Sequence, residues 1–129
     1  NIYASNMMTN AGNSSSIERK DDILFRFLSL VESNFHKHRD VKYYAQQMCL
    51  SPKHMSSSIK TVSGRTAGEW IDSYVILEAK LLLRNTALTV QEVSSILNCP
   101  DASFFGKYFK RLTGYTPRKF RTNLTETTH

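Results

Sequence analysis

An internal repeat of a short helical hairpin limits the folds that this chain can adopt. Sliding the sequence on itself aligns two segments at an offset of 49 residues, and after one inserted residue the match continues at an offset of 50. Each unit is too short to bury its own apolar face, so the repeat predicts two similar lobes that pack on shared structure. The matched pairs are Val41 with Val90, Tyr44 with Val93, Met48 with Leu97, Met55 with Phe105, Ile59 with Phe109, Lys60 with Lys110 and Gly64 with Gly114.

Both copies carry residues that begin and end helices. Ser51 and Pro52 place a hydroxyl N-cap before a proline at the first helical position, where its missing N–H costs nothing. Asp101 can cap the second copy in the same way. Gly64 and Gly114 stand where the C-terminus of a helix favours a left-handed residue. Each copy is therefore predicted to be a short helix, a tight turn and a second helix.

Three further helices are predicted outside the hairpins. Apolar residues recur at three- and four-residue spacing from Ile23 to Phe35, which predicts a first helix. The segment between the copies has apolar residues on so many sides that we expect one long helix gripped by both lobes. Thr116 and Pro117 begin a short last helix. The predicted fold class is all-α, with seven helices arranged as two helix-turn-helix subdomains and a long linker helix.

The domain boundaries follow from composition. A chain of 129 residues, 40% of them hydrophobic, suffices for one substantial core but not for two ordinary independent domains. Residues 1–16, rich in Asn and Ser, are expected to be a flexible linker or tag, and residues 125–129 a tail. The domain is expected to span 17–124, with helix-turn-helix units at about 39–64 and 89–114, the linker helix at about 66–85 and the last helix at about 117–123.

The positive charge is concentrated in one part of the chain. The net charge is +6, and segment 102–121 alone holds six basic residues and no acidic one, which suits a polyanionic partner. No apolar run approaches the roughly 20 residues that span a bilayer, so we expect no membrane contact. Cys49 and Cys99 make neither a disulfide framework nor a metal spacing, which favours the reducing cytoplasm.

The second helix of each hairpin, at about 52–63 and 102–113, is predicted to be a recognition helix with a buried face and a DNA-facing one. Small residues flanked by cations let a helix enter a major groove, where Ser and Lys reach base edges and Lys or Arg reach phosphates. The inward residues are predicted to be Met55, Ile59 and Val62 in the first copy, and Phe105, Phe109 and Leu112 in the second. The candidates for DNA contact are Lys53, Ser56, Ser57, Lys60, Ser103, Phe104, Gly106, Lys107, Lys110 and Arg111.

The linker helix sets the spacing of these two recognition helices. Residues 66–84 would form a helix about 28 Å long at roughly 1.5 Å per residue. Successive major grooves on one side of B-DNA are roughly 34 Å apart. One chain is therefore predicted to place two recognition helices in successive major grooves and to bind a site without two-fold symmetry.

Residues in the second half of the chain resemble the C-terminal domain of AraC/XylS-family transcription regulators. The resemblance covers about residues 20–121 and rests on Glu78–Leu83, Thr89–Val93 and the pattern from Phe105 to Arg121, Phe-x-x-x-Phe-Lys-x-x-x-Gly-x-x-Pro-x-x-Phe-Arg. It implies a seven-helix domain of a bacterial regulator that binds double-stranded promoter DNA and contacts RNA polymerase. It also implies an N-terminal sensing or dimerisation domain, which this chain lacks and which could anchor the parent protein in a membrane. The start at Asn1 rather than Met agrees with such a fragment.

Two positions depart from the family pattern. Asn98 and Cys99 replace the usual Gly-Phe before the second recognition helix, and Val75 replaces an arginine often found in the linker helix. Asn tolerates a left-handed turn, but Cys fills less core than Phe. The placement of the second recognition helix is the expectation most affected.

Other interpretations remain open at this stage. The repeat could be a purely structural helical array, or a module that binds a protein through its first helix. No motif of an enzyme, metal site or cofactor site is present, and the i, i+2 spacing of His36 and His38 puts them on different helix faces, away from a shared site with His54. The aromatic residues Phe104, Phe105, Tyr108 and Phe109 are expected to be core rather than base-stacking platforms, with Phe104 the possible exception.

Overall fold

The computed structural model describes residues 19–127, with side chains to residue 123, and in this range it contains seven α-helices and no strand. The predicted linker or tag at 1–16 lies outside the described residues. The all-α fold with two helix-turn-helix units on one linker helix is confirmed. The helices are α1 (Lys20–Asn34), α2 (Val41–Gln47), α3 (Pro52–Ser63), α4 (Ala67–Arg84), α5 (Val90–Ile96), α6 (Ala102–Thr113) and α7 (Pro117–Thr127).

Side chains cap the N-termini of the helices that follow α1. The hydroxyl of Ser51 accepts a hydrogen bond from the His54 N–H at 3.1 Å. The carboxylate of Asp101 accepts one from the Phe104 N–H at 2.7 Å. Both predicted caps of the recognition helices, α3 and α6, are thus confirmed. The remaining caps are Asp40 for α2, Thr66 for α4, Thr89 for α5 and Thr116 for α7.

Glycine ends both recognition helices, as predicted. Gly64 has a φ of 78° and Gly114 a φ of 87°, in the left-handed region that costs other residues about 1–2 kcal/mol. The N–H of each glycine donates to a carbonyl four residues earlier, that of Lys60 or Lys110. The chain can therefore turn at once into the next helix.

One stripe of the linker helix α4 contributes to two separate cores. Ala67, Ile71 and Val75 are buried in the first core, and Ala79 and Leu83 in the second. These residues follow one another at four-residue spacing, so they lie on one side of the helix. The prediction that both lobes pack against this helix is confirmed. The first core also contains Ile23, Phe27, Val31, Phe35, Tyr44, Ala45, Met48, Met55 and Ile59, and the second Val93, Leu97, Phe105 and Phe109.

The predicted burial is wrong at some helix positions. Val62, expected to point inward, is 42% exposed. Leu77 and Leu81, two of the apolar residues of the linker helix expected to be covered on many sides, are more exposed still. Val62 lies on the same side of α3 as Met55 but in the last turn before the helix ends, whereas Ser58 lies in the middle of the helix and is buried. Periodicity identifies the side of a helix but not how far the neighbouring helices cover it. Leu112, the counterpart of Val62, is only partly buried.

The last helix continues to Thr127, beyond its expected end near residue 123. The expected tail at 125–129 therefore begins inside this helix. No glycine or proline follows Pro117, so the sequence contains no strong stop signal.

Two glycines in and after α6 give a matched test of this backbone geometry. Gly114→Ala should lower the free energy of unfolding by about 1–2 kcal/mol because alanine is strained at positive φ. Gly106→Ala should raise it by about 0.5–1 kcal/mol because alanine favours the helix interior. An added Cβ would meet no atom within 4 Å at either position, so packing does not contribute. Urea denaturation measures both, and equal effects would contradict the left-handed turn at Gly114.

Candidate nucleic-acid interface

The two recognition helices each have one fixed face and one open face. Met55 and Ile59 of α3, and Phe105 and Phe109 of α6, are completely buried in the two cores. The opposite faces carry the candidate contact residues. Ser56 and Gly106 are partly buried, whereas Lys53, Ser57, Lys60, Ser103, Phe104, Lys107, Lys110 and Arg111 are exposed.

The N-terminal halves of α3 and α6 each bring a cation and a hydroxyl to the open face. In α6, Ser103 and Lys107 lie about one turn apart on the open side. In α3, Lys53 and Ser57 have the same spacing. The N-terminal turn of a recognition helix is the part that reaches base edges in helix-turn-helix proteins. The placement is therefore suited to base contact at these four residues.

Lys60 occupies a different environment from the other α3 candidates. Its Nζ donates to the carbonyl oxygen of Gly64 at 3.1 Å. A cation there also stabilises the C-terminal end of the helix dipole. Lys60 further lines a cleft of about 390 Å³ with Arg65 and Glu69. It lies about 10 Å along the helix axis from Lys53 at roughly 1.5 Å per residue, in the C-terminal half of α3.

An aromatic column runs along the side of α6. The rings of Phe104 and Tyr108 are nearly parallel, at 11°, with centroids 6.2 Å apart. The guanidinium of Arg111 lies 5.5 Å from the centre of the Tyr108 ring, within cation–π range. The Tyr108 hydroxyl donates to Asp72 Oδ1 on the linker helix at 2.6 Å. Arg111 and Phe104 are thus held in place through Tyr108.

The expectation that the aromatics of α6 are core residues holds in part. Phe105 and Phe109 are completely buried in the second core. Tyr108 is partly buried and packs against the first core, so it contacts the other lobe. Phe104 is 48% exposed and is the exception that the sequence suggested.

A second polar contact joins the lobes at the atypical Asn98. Its φ of 59° is the left-handed turn that asparagine tolerates. Its side-chain amide donates to the carbonyl oxygen of His36 at 2.8 Å, an interaction that a glycine could not make. His36 Nε2 also lies 3.8 Å from Glu78 Oε2 on the linker helix. The departure from the family pattern therefore adds an inter-lobe contact, while Cys99 packs at the edge of the second core.

Arg39 lies close to both lobes. Its Nε and Nη2 atoms are buried and have no hydrogen-bond partner among the described residues. Burial raises the pKa of Tyr44, Cys99 and Tyr108, that of Tyr44 to about 12, and the Arg39 charge opposes the rise at all three. Tyr44 belongs to the first lobe and the other two to the second. No local sequence pattern predicts this arrangement.

The repeat also identifies one residue that the list of candidates omitted. His54 is the counterpart of Phe104 at an offset of 50 and is exposed in the first turn of α3. The sequence pattern raises His54 only as a metal-ligand candidate. Within residues 19–127, no group of three or more His, Cys, Asp or Glu is placed to hold a metal ion. The position-by-position match between the two recognition helices is the sequence signal that points to His54.

No helix in the described part of the chain is both long and apolar enough to cross a membrane.

Comparisons with known proteins agree with this geometry. A helix-turn-helix domain family matches residues 44–123. The chain is 33% identical over 97 residues to the arabinose operon regulatory protein of Escherichia coli (strain K12), covering 75% of this chain and 32% of that protein. The chain thus spans about a third of the length of this curated relative.

Two solved structures share the fold. The C-terminal domain of AraT, a response regulator from Geobacillus stearothermophilus, aligns with a TM-score of 0.71 and 22% identity over 78% of this chain and 84% of that one. The DNA-binding domain of AdpA, solved in complex with a target DNA, aligns with a TM-score of 0.68 and 20% identity over 78% of this chain and 90% of that one. At these identities the likeness establishes the arrangement of helices.

Removing the Tyr108 hydroxyl tests the contact between the lobes. Tyr108→Phe should lower the free energy of unfolding by about 1 kcal/mol because Asp72 loses a partly buried hydrogen bond. Tyr115→Phe, at a half-exposed ring after α6, is the matched control and should change it by less than about 0.5 kcal/mol. Urea denaturation measures both. Equal stability of Tyr108→Phe and the wild type would mean that this hydrogen bond between the lobes does not contribute to the free energy of unfolding.

Proposed function

The chain belongs to the AraC/XylS-type helix-turn-helix family of transcription-regulator DNA-binding domains, and on that premise we propose that one chain binds one promoter site through both recognition helices. The observation that carries the proposal is the pairing of two open recognition-helix faces, each with a lysine in its N-terminal half, with two cores on a single linker helix. Each open face can enter a groove while its opposite face stays packed. The 18 residues of α4 span about 27 Å, which suits successive major grooves.

The proposed contacts divide into base and phosphate contacts. Ser57 and Ser103 are exposed in the N-terminal halves of the recognition helices and can donate to base edges, with Lys53 and Lys107 one turn away. Lys110 lies a turn further along α6, where a cation reaches phosphate rather than base. Ser56 and Gly106 are partly buried and allow close approach of the helix to the groove floor.

The two lobes are proposed to contribute unequally. The second lobe includes the segment from Ala102 to Arg121, which has six basic and no acidic residues. In the first lobe, one of the two lysines of the recognition helix, Lys60, is held by the Gly64 carbonyl. We therefore assign more of the salt-dependent affinity to the second lobe, because phosphate neutralisation drives that dependence.

For the whole protein we propose a larger regulator acting on chromosomal DNA in the cytoplasm. The arabinose operon regulatory protein is about three times as long as the part that this chain matches. A sensing or dimerisation domain and a contact with RNA polymerase would complete such a regulator. We propose a role in binding rather than in catalysis, supported by the family membership of residues 44–123.

Selection from a random duplex library tests the proposal directly. The chain should enrich a site of two half-sites about one helical turn apart, with one chain per site. Fluorescence anisotropy should show affinity falling steeply with salt, and much weaker binding to a scrambled duplex. Equal affinity for all duplexes, or enrichment of a single half-site, would contradict two-groove binding.

Lysines in the N-terminal halves of the two recognition helices should protect different nucleotides. With Lys53→Ala, the DNA should lose protection from hydroxyl radicals in one half-site, and with Lys107→Ala in the other. The reason is that the two lysines lie on different recognition helices. Each variant should retain protection of the opposite half-site. Footprints that lose the same bases in both variants would show that the helices do not occupy separate grooves.

Lys110 should contribute affinity without sequence preference. Lys110→Ala should weaken binding to the selected and scrambled duplexes by a similar factor and reduce the salt slope by about 1. Lys20→Ala removes an exposed lysine on α1 and is the matched control, with an unchanged slope expected. A change in the selected sequence on Lys110→Ala would instead indicate base contact.

A further inference from the structure

The open face of α6 contains one large apolar group in an otherwise polar surface. Phe104 is 48% exposed, whereas the neighbouring exposed positions of the helix carry Ser103, Lys107, Lys110 and Arg111. We propose that Phe104 reads the methyl group of a thymine in the major groove of the second half-site. The proposal rests on the proposed function and specifies one element of its sequence preference.

The position of Phe104 places it where base edges are read. It is the third residue of α6, and its backbone N–H is held by the Asp101 carboxylate at 2.7 Å. The N-terminal residues of a recognition helix contact base edges, whereas later residues approach the backbone. Phe104 is therefore on the part of the helix that enters the groove most directly.

The chemistry of the ring selects among the groups that bases present. A phenyl ring neither donates nor accepts a conventional hydrogen bond, so it cannot satisfy the polar groups of adenine, guanine or cytosine. Thymine is the only base that presents an apolar group, its C5-methyl, in the major groove. A half-exposed ring thus favours a thymine and disfavours bases whose polar edges it would desolvate.

The ring is held before DNA arrives. Phe104 stacks on Tyr108 at a centroid distance of 6.2 Å, and the Tyr108 hydroxyl is tied to Asp72 on the linker helix. Arg111 lies over the same tyrosine ring at 5.5 Å. A side chain fixed in this way loses little conformational freedom on binding, which sharpens discrimination.

The recognition helix of the first lobe has no apolar side chain at the position equivalent to Phe104. The counterpart of Phe104 at an offset of 50 is His54, whose imidazole can hydrogen bond. Methyl recognition should therefore be confined to one half-site. This asymmetry gives the proposal an internal control on the same DNA.

Replacing thymine by uracil removes the methyl group and leaves base pairing unchanged. In the site obtained by selection, each thymine of the second half-site is changed to deoxyuridine in turn, and affinity is measured by fluorescence anisotropy. One position should cost the wild type about three- to fivefold, as expected for an apolar contact of one methyl group. Phe104→Ala should bind the thymine and uracil duplexes equally, whereas Phe104→Leu should keep part of the preference.

Phe25→Ala is the matched control, because Phe25 is 47% exposed and lies on α1 outside both hairpins. It should retain the wild-type preference for thymine, and thermal unfolding monitors the fold of every variant. Wild-type affinity that is unchanged at every uracil position would overturn the inference, as would an equal loss in Phe104→Ala. Failure to enrich any site would overturn the proposed function instead, so the two failures are distinguishable.

Discussion

Both hydrophobic cores are completed by one side of the linker helix, and the placement of the recognition helices depends on this sharing. Ala67, Ile71 and Val75 enter the first core, and Ala79 and Leu83 enter the second, one turn after another. Each recognition helix packs into its core through two fully buried residues. Because the helix between the cores is continuous and hydrogen-bonded, a change in the angle between the lobes would require bending it or unpacking a core.

Polar contacts between the two lobes restrict their rotation about the linker helix α4. Tyr108 reaches Asp72 from α6, and Asn98 reaches the His36 carbonyl from the turn before it. The second lobe is thus tied both to the linker helix and to the end of α1. These ties fix the open faces of α3 and α6 relative to each other, which is the arrangement that binding to two grooves requires. They also position Phe104 through its contact with Tyr108.

Local rules predicted most of the fold and less of the site. The repeat, the caps at Ser51 and Asp101, and the glycines at 64 and 114 follow from short-range chemistry, and the structure has them all. The inter-lobe contacts could not be predicted, because Tyr108 and Asp72 are 36 residues apart and Asn98 and His36 are 62 apart, with no periodic pattern to link them. Partners at such distances are set by packing rather than by spacing.

The open faces themselves were predictable from helical periodicity, but individual roles were not. Lys60 and Lys110 match in the repeat, yet Lys60 Nζ is held by the carbonyl of Gly64.

If the two lobes bind DNA as one rigid unit, the spacing between the half-sites must be fixed. The most direct test measures the affinity of the chain for its selected site after base pairs are inserted between the half-sites. Five inserted base pairs, about half a helical turn, should weaken binding at least a hundredfold. The second half-site then lies on the opposite side of the duplex from the recognition helix α6. Unchanged affinity would show that the lobes bind independently or that only one of them enters a groove.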